Sequence, residues 1–269
     1  MPTVDQNGTP QVLLIDLDGV IYQSDRVIDG AVETLDWISA QRIPYLFVTN
    51  TTSRSRSALL QKFESMGFHA RPDDIVTPIV AASQWLDERE LKHAALFVSE
   101  GACEDFTGIQ QVALDSDDAI DAVVIGDLGA AWDYSLLNRA FRMLMREPKP
   151  ELIALGMTRY WRGADGLNLD VAPFIRALEH AASCGAHVLG KPAPAFFQAS
   201  LALLGAQPGQ AMMIGDDILG DIEAAQACGI RGIQVRTGKF RAADLDGDVR
   251  PDVVLDSIAD LPAWWSKSA

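Results

Sequence analysis

Nine polar residues stand at the ends of apolar runs and hold the chemistry open to this sequence. Asp16 and Asp18 lie in "QVLLIDLDGVIY", Thr49, Asn50 and Thr51 close "YLFVTNT", Lys191 sits in "HVLGKP", and Asp216, Asp217 and Asp221 follow "MMIG". The set mixes hard anionic oxygens, hydroxyl and amide groups and one compact cation. Clustered carboxylates without soft ligands suit Mg²⁺, which takes one or two carboxylates, waters and a phosphate oxygen. Mg²⁺ and Lys191 together offset the crowded negative charge, and both attract a phosphoryl group. In such a setting an aspartate can attack phosphorus and form an aspartyl-phosphate that water later cleaves. A second carboxylate can protonate the leaving oxygen and then activate the water. Side chains alternate along a strand, so Asp16 and Asp18 would point the same way and repel if the strand ran through both. Gly19 supplies a residue at which the chain can bend and approach a ligand closely.

Residues so far apart in sequence need a sheet to gather them. Short runs rich in Val, Ile and Leu alternate with helix-period segments, the pattern of a mostly parallel sheet covered by helices. "VLLI", "YLFVTN", "HVLGKP", "AMMIGDD", "GIQV" and "DVVL" are read as strands, with helices near 31–42, 57–66 and 194–204 and one through "DIEAAQA". In open sheets of this kind ligands bind beyond the carboxyl ends of the strands, where the nine residues stand. Between "YLFVTN" and "HVLGKP" lies far more chain than a crossover needs. That excess holds its own strands, "AALFVS", "AVVIGD" and "ELIALG", and helices near 135–145 and 174–182. The expected organisation is a Rossmann-like α/β core, residues 1–79 and 186–269, with helices on both faces and a second α/β domain, residues 80–185, inserted in it.

Composition narrows the partners. The 269 residues carry Lys+Arg 22 against Asp+Glu 37, a net charge of -15, which repels nucleic acid and anionic lipid. No apolar run is long enough to span a bilayer, and "MPTVDQNGTP" has neither the basic nor the apolar block of a secretion signal, so a soluble, cytoplasmic protein is expected. Cys103, Cys184 and Cys228 are widely spaced and read as buried free thiols, and the four histidines have no zinc-ligand spacing.

Taken singly, each motif has an ordinary structural reading. DxDG can be a turn or a fragment of a calcium loop, Thr-Asn is a common strand-ending turn, and a single lysine is usually solvated. The ordered set DxDGV, TN, GKP, GDDxxxD at four strand ends is far more specific. It resembles the four motifs of the haloacid dehalogenase-like (HAD) phosphohydrolase superfamily, and the insert between the second and third resembles its C2-type cap (class IIA). "GLNLDVAPFIRALEHA", "GKPAPAFF", "MMIGDDILGD" and "QVRTGKF" are most similar to the branch that includes phospholysine phosphohistidine inorganic pyrophosphate phosphatase and its hydrolase-domain-containing relatives. The resemblance implies an Mg²⁺-dependent phosphatase of a small phosphorylated metabolite. By position it implies Asp16 as nucleophile and Asp18 as general acid and base, with Asp16, the Asp18 carbonyl and Asp216 on the metal. It further implies Asp217 and Asp221 orienting metal-bound water or Lys191, and Thr49, Asn50, Thr51 and Lys191 on the phosphate. A homodimer is also implied by resemblance alone.

One departure bears on substrate. Members of that branch often carry serine where this chain has Asp18. A phosphoramidate nitrogen leaves protonated readily, whereas an ester alkoxide benefits from a positioned acid. Asp18 therefore favours a phosphomonoester, with phosphoramidates or pyrophosphate as the alternative. Other chemistries of the same fold, dehalogenation and phosphonate cleavage, do not require that acid. A non-catalytic phosphate-sensing or scaffolding protein would have no need of the intact acidic set.

Three further features complete the expectations. "VVIGD" echoes "MMIGDD" but lacks a second acid at the right offset, so Asp127 is read as structural or cap-lining. "TRYWRGADGLNLD", with Arg159, Tyr160, Trp161, Arg162, Asp165, Asn168 and Asp170, reads as a glycine-bearing loop. It either closes over a substrate's leaving group or is a solvated loop with core aromatics. Arg54 and Arg56 read as exposed helix charges, with anion attraction the other option, and the six tryptophans as packing or partner contacts.

Overall fold

The computed structural model describes residues 11–163 and 166–268, apart from the side chains of 161–163 and 268. The chain forms two compact units. The first comprises Met1–Thr49, Leu59–Val76 and Lys191–Ala269, and the second Asn50–Ala58 and Thr77–Gly190.

The first unit is built on a six-stranded sheet. Its spatial order is Val253–Leu255, Arg231–Val235, Ala211–Gly215, Val12–Asp16, Tyr45–Val48, Ile75–Val76. Every neighbouring pair is parallel. From its first strand the chain moves outward to one edge, then returns to build the other side from Ala211 onward. The carboxyl ends of Val12–Asp16 and Ala211–Gly215 therefore flank the point where strand order reverses, the usual ligand crevice of such sheets. Alternation along the strands sends Leu13, Ile15, Met212, Ile214, Ile233 and Val235 into one apolar cluster with Phe47, Phe63 and Phe68. Phe63 stacks on Phe68 with ring centroids 4.6 Å apart and meets Phe47 edge-on at 5.5 Å, arrangements that add to the burial itself. Trp265 packs edge-on against Trp37 at 6.1 Å and ties the terminal helix Leu261–Ser268 to the helix Ala31–Ala40.

The second unit has a five-stranded parallel sheet in the order Ala186–Val188, Glu151–Ala154, Ala122–Ile125, His93–Phe97, Gln110–Gln111. The helices Tyr134–Leu144 and Val171–Ala182 pack on it through Ala140, Met143, Leu144, Ile175 and Leu178. Both helices start at an aspartate cap: Asp133 accepts from the Leu136 N–H at 2.7 Å and Asp170 from the Val171 N–H at 2.7 Å. Among the described residues no helix is long and apolar enough to cross a membrane.

Parallel sheets flanked by helices in a Rossmann-like fold match the fold class expected from the sequence, and several local expectations are corrected. The sequence pattern groups "HVLGKP" with the first sheet, yet Ala186–Val188 hydrogen-bonds to Glu151–Ala154 in the second; an alternating triplet marks a strand but not its partner. The expected loop at 159–170 is an antiparallel hairpin, Tyr160–Gly163 paired with Gly166–Leu169. Its alternation is hidden by Gly163 and Gly166. "DIEAAQA" enters its helix through a wide turn, Ile218–Glu223, before the regular Ala224–Ala227. The three cysteines are free but only partly buried.

Candidate active site

The strand Val12–Asp16 stops at the first acid. Beyond it the N–H groups of Val20, Ile21 and Tyr22 all turn back to the Leu17 carbonyl, at 3.3, 2.9 and 3.2 Å. This curl is possible because Gly19 adopts φ +85°. The curl separates the two aspartates: Asp16 is buried and Asp18 is exposed. They do not share an environment, and Asp18 is outside the carboxylate cluster that Asp16 joins, which relieves the repulsion a straight strand would impose.

Ile15 pairs with Ile214, so Asp16 ends its strand beside Gly215 and next to Asp216. Asp221 joins them from the turn that follows. Asp217 begins that turn, accepting from the Leu219 and Gly220 N–H groups at 3.1 and 2.9 Å. Its own N–H donates to Asp221 Oδ2 at 3.2 Å. Gly215 permits the approach, since a Cβ there would lie 2.3 Å from the Asp221 Cβ. Oxygens of Asp16, Asp216 and Asp221 all fall within 4.8 Å of one another.

Lys191 threads into this cluster. Its Nζ lies 2.9 Å from Asp16 Oδ1 and 2.7 Å from Asp221 Oδ1, and only 5% of the residue is exposed. Burial opposes the ammonium charge, but Asp16 and Asp221 outweigh it and hold the lysine protonated. The acids are pushed the other way. Burial raises Asp16 despite the nearby Lys191, and burial lifts both Asp216 and Asp221 to about 6. Neighbouring carboxylates add to that burial: three of them surround one ammonium, leaving two negative charges, the complement of a divalent ion.

Asp216 gives the more direct sign. Its Oδ2 accepts from the Lys239 N–H at 2.7 Å, while its Oδ1 is buried with no hydrogen-bond partner among the described residues. A buried carboxylate oxygen is rarely left so. Three hard oxygen donors around a surplus of two negative charges suit Mg²⁺ or Ca²⁺ and no soft metal. These residues fit a divalent ion.

The remaining expected residues are distributed as follows. Asp18 lies two residues past the strand end and its carboxylate is outside the three-acid cluster. Thr49 is buried and follows Val48, the register partner of Asp16; its N–H donates to the Val76 carbonyl at 3.1 Å. Asn50 and Thr51 belong to the second unit, where a Cβ on Gly190 would approach Asn50 Oδ1 to 3.1 Å. Arg159, Tyr160, Trp161 and Asp170 are also in that unit. The Arg159 guanidinium lies 5.7 Å from the centre of the half-exposed Tyr160 ring, and Asp170 caps a helix. The side chain of Trp161, with those of Arg162 and Asp165, lies outside the described residues. Asp127 accepts from the Gly129 N–H at 2.8 Å and stabilises a local turn. Arg56 corrects its expectation of exposure: its side chain is mostly buried, with its Nε 3.1 Å from Asp105 Oδ1 and its N–H donating to Asp105 Oδ2 at 2.7 Å.

Sequence reasoning gave no role in the site to Gln234 or Lys239, although "QVRTGKF" carries part of the family resemblance. Gln234, fully buried, donates to the Asp216 carbonyl at 2.8 Å, and Lys239 holds the Asp216 carboxylate through its backbone and lies 3.4 Å from Asp217 Oδ2 through Nζ. A further signal was "TGK" at yet another strand end.

Residues 13–110 match a family described as haloacid dehalogenase-like hydrolase, and residues 188–261 one described as HAD-hydrolase-like. The chain is 39% identical over 253 residues to human phospholysine phosphohistidine inorganic pyrophosphate phosphatase, covering 92% of this chain and 91% of the relative. It is similar in structure to a p-nitrophenyl phosphatase from Archaeoglobus fulgidus, with TM-score 0.85, 26% identity, and 95% and 99% of the two chains covered. A glycerol phosphate phosphatase from Mycobacterium tuberculosis, solved in complex with calcium, aligns with TM-score 0.81 at 28% identity, covering 94% of this chain and 74% of the other.

Proposed function

The chain belongs to the haloacid dehalogenase-like hydrolases and is a phosphatase, and from that premise we propose that it is an Mg²⁺-dependent phosphohydrolase of a small phosphomonoester, working through an aspartyl-phosphate on Asp16. The observation that carries the reading is the pairing of Lys191 with a three-acid cluster that keeps one buried oxygen of Asp216 unsatisfied. In this reading Asp16 and Asp216 hold Mg²⁺ through their carboxylates and Asp18 through its backbone carbonyl. The bound ion supplies charge neutralisation that lets a phosphate dianion approach a carboxylate. Asp217 fixes the turn that carries Asp221, and Asp221 fixes Lys191.

The chain's own groups then account for both half-reactions. Lys191, together with Thr49, Asn50 and Thr51, binds phosphate oxygens. A carboxylate oxygen of Asp16 forms a bond to phosphorus as the bond to the ester oxygen breaks, and Asp18 delivers its proton to that leaving oxygen. Asp18, now ionised, takes a proton from water as the water oxygen attacks phosphorus and the bond to Asp16 breaks. Inorganic phosphate leaves and both acids are restored. The two acids stand in different surroundings, Asp16 buried against an ammonium and Asp18 exposed.

The second unit serves, in this proposal, as a C2-type cap whose Arg159, Tyr160, Trp161 and Asp170 select the leaving group. The resemblance also supports a homodimer, which sedimentation would test. A second reading, hydrolysis of phosphoramidates or pyrophosphate, is favoured by the human relative, which is named for those substrates.

Hydrolysis of p-nitrophenyl phosphate with and without Mg²⁺, in wild type and Asp16→Asn, tests the mechanism. Loss of turnover on either change is expected, and activity that survives both would refute it. A panel of phosphorylated metabolites, pyrophosphate and a phosphohistidine analogue separates the two substrate readings.

A further inference from the structure

The segment after the strand Arg231–Val235 closes on the Asp18 turn at two points and on Asp216 at a third. Thr237 Oγ1 donates to the Gly19 carbonyl. Gly238 and Gly19, both with positive φ, face each other so closely that a Cβ on Gly238 would fall 2.6 Å from the Gly19 Cα. The Lys239 N–H holds Asp216 Oδ2 at 2.7 Å. That oxygen occupies space that only glycine leaves open, since a Cβ on either residue would lie 2.0 Å from it. The other oxygen, Oδ1, is the buried one without a partner. One oxygen of the carboxylate is thus engaged by an amide between two glycines, and the other is left to a ligand.

We propose that Thr237, Gly238 and the Lys239 amide form a clasp that confines Asp216 to single-oxygen ligation and thereby tilts the site toward Mg²⁺ and away from Ca²⁺. Mg²⁺ demands a near-ideal octahedron at about 2.0–2.1 Å, whereas Ca²⁺ takes about six to eight oxygens at about 2.3–2.6 Å and readily uses both oxygens of a carboxylate. A fixed single donor serves the first ion and leaves the second under-coordinated. Thr237 is a positioning residue here, acting on Asp216 through the paired glycines. The inference rests on the metal-binding reading above and adds to it a physical basis for the choice of ion.

Calorimetric titration of the metal-stripped full chain with Mg²⁺ and, separately, Ca²⁺ tests it in wild type, Thr237→Val and Thr237→Ser. Val removes the hydroxyl at nearly constant shape and is expected to weaken Mg²⁺ about tenfold or more, the usual effect of losing a group that orients a ligand. Ca²⁺ should weaken distinctly less, so the ratio of the two constants moves toward Ca²⁺, while Ser, which keeps the hydroxyl, retains the wild-type ratio. Circular dichroism verifies folding, and Thr237→Ala carries the same comparison if the Val variant does not fold. A ratio that stays constant or moves toward Mg²⁺ overturns the clasp. A wild-type chain that binds neither ion overturns the metal-binding reading itself and the clasp with it.

Discussion

Replacing Lys191 with methionine strips the buried cluster of its one ammonium. Lys191 Nζ lies 2.9 Å from Asp16 and 2.7 Å from Asp221, with side-chain exposures of 4%, 9% and 2%. Deleting one partner of a buried ion pair costs about 3–5 kcal/mol, because the remaining charge keeps its desolvation penalty and loses its compensation. The stranded acid can escape by taking up a proton. That route costs about 1.4 kcal/mol for each pH unit above the ordinary carboxyl value of 3.8, so about 2 kcal/mol near pH 5.5 and about 6 near pH 8. Protonation is therefore the cheaper outcome in mild acid, and near pH 8 the full loss applies. Both Asp16 and Asp221 already sit above their ordinary range, and removing the cation raises them further. A carboxyl with a raised folded value binds a proton that the unfolded chain releases, so its contribution to stability falls as pH rises from 3.8 through the folded value. The gap between wild type and variant must widen with pH. At about 2–4 °C per kcal/mol for a unit of this size, the melting temperature of Lys191→Met should fall by about 4–8 °C near pH 5.5 and about 6–20 °C near pH 8. Differential scanning calorimetry in a chelator, which keeps divalent ions from replacing the lysine, measures both. A gap below about 2 °C near pH 8, or one that narrows as pH rises, would refute the electrostatic account of the cluster.

Other expectations follow from single features. Asp18→Ser should lower turnover of alkyl phosphates by about 10²–10⁴-fold and of p-nitrophenyl phosphate far less, since a good leaving group needs little proton assistance; steady-state kinetics over a series of leaving groups reads this slope. Mg²⁺ added to the metal-free chain should raise its melting temperature, with about 2.7 kcal/mol of stabilisation at a hundredfold excess over the dissociation constant, and Asp216→Asn should abolish the effect. Arg56→Ala leaves the buried Asp105 without its guanidinium and should destabilise the second unit by a few kcal/mol, visible as faster backbone hydrogen exchange around 99–105 and little change around 211–215.

The strands and the four polar clusters were legible because each is a local signal, an apolar β-branched run followed by residues that cannot stay in a buried strand. Asp16, Lys191, Asp216 and Asp221 could be collected in that way from strand ends alone, since an α/β sheet places its strand ends together. What escaped was whatever depends on a partner distant in sequence. The burial of Arg56 requires Asp105, 49 residues away, and nothing in "TTSRSRS" distinguishes a paired arginine from a solvated one. The hairpin at 160–169 is stabilised by pairing across a glycine-containing turn, which blurred the period-two alternation. Gly238 shows the limit most plainly. Its role is set by the carboxylate of Asp216 and the backbone of Gly19, and a lone glycine in a loop carries no periodicity to announce either.

The burial of Lys191 between two carboxylates also determines how the chain meets electrophiles. An amine reacts with acylating reagents only as the free base, and this one is held protonated and screened from solvent. Anhydrides, activated esters and isocyanates that modify surface lysines will pass it by while the fold is intact. Lysine acylation can therefore alter the surface charge of the folded chain, Lys239 included, without silencing the central cation, whose reactivity appears only once the sheet has come apart.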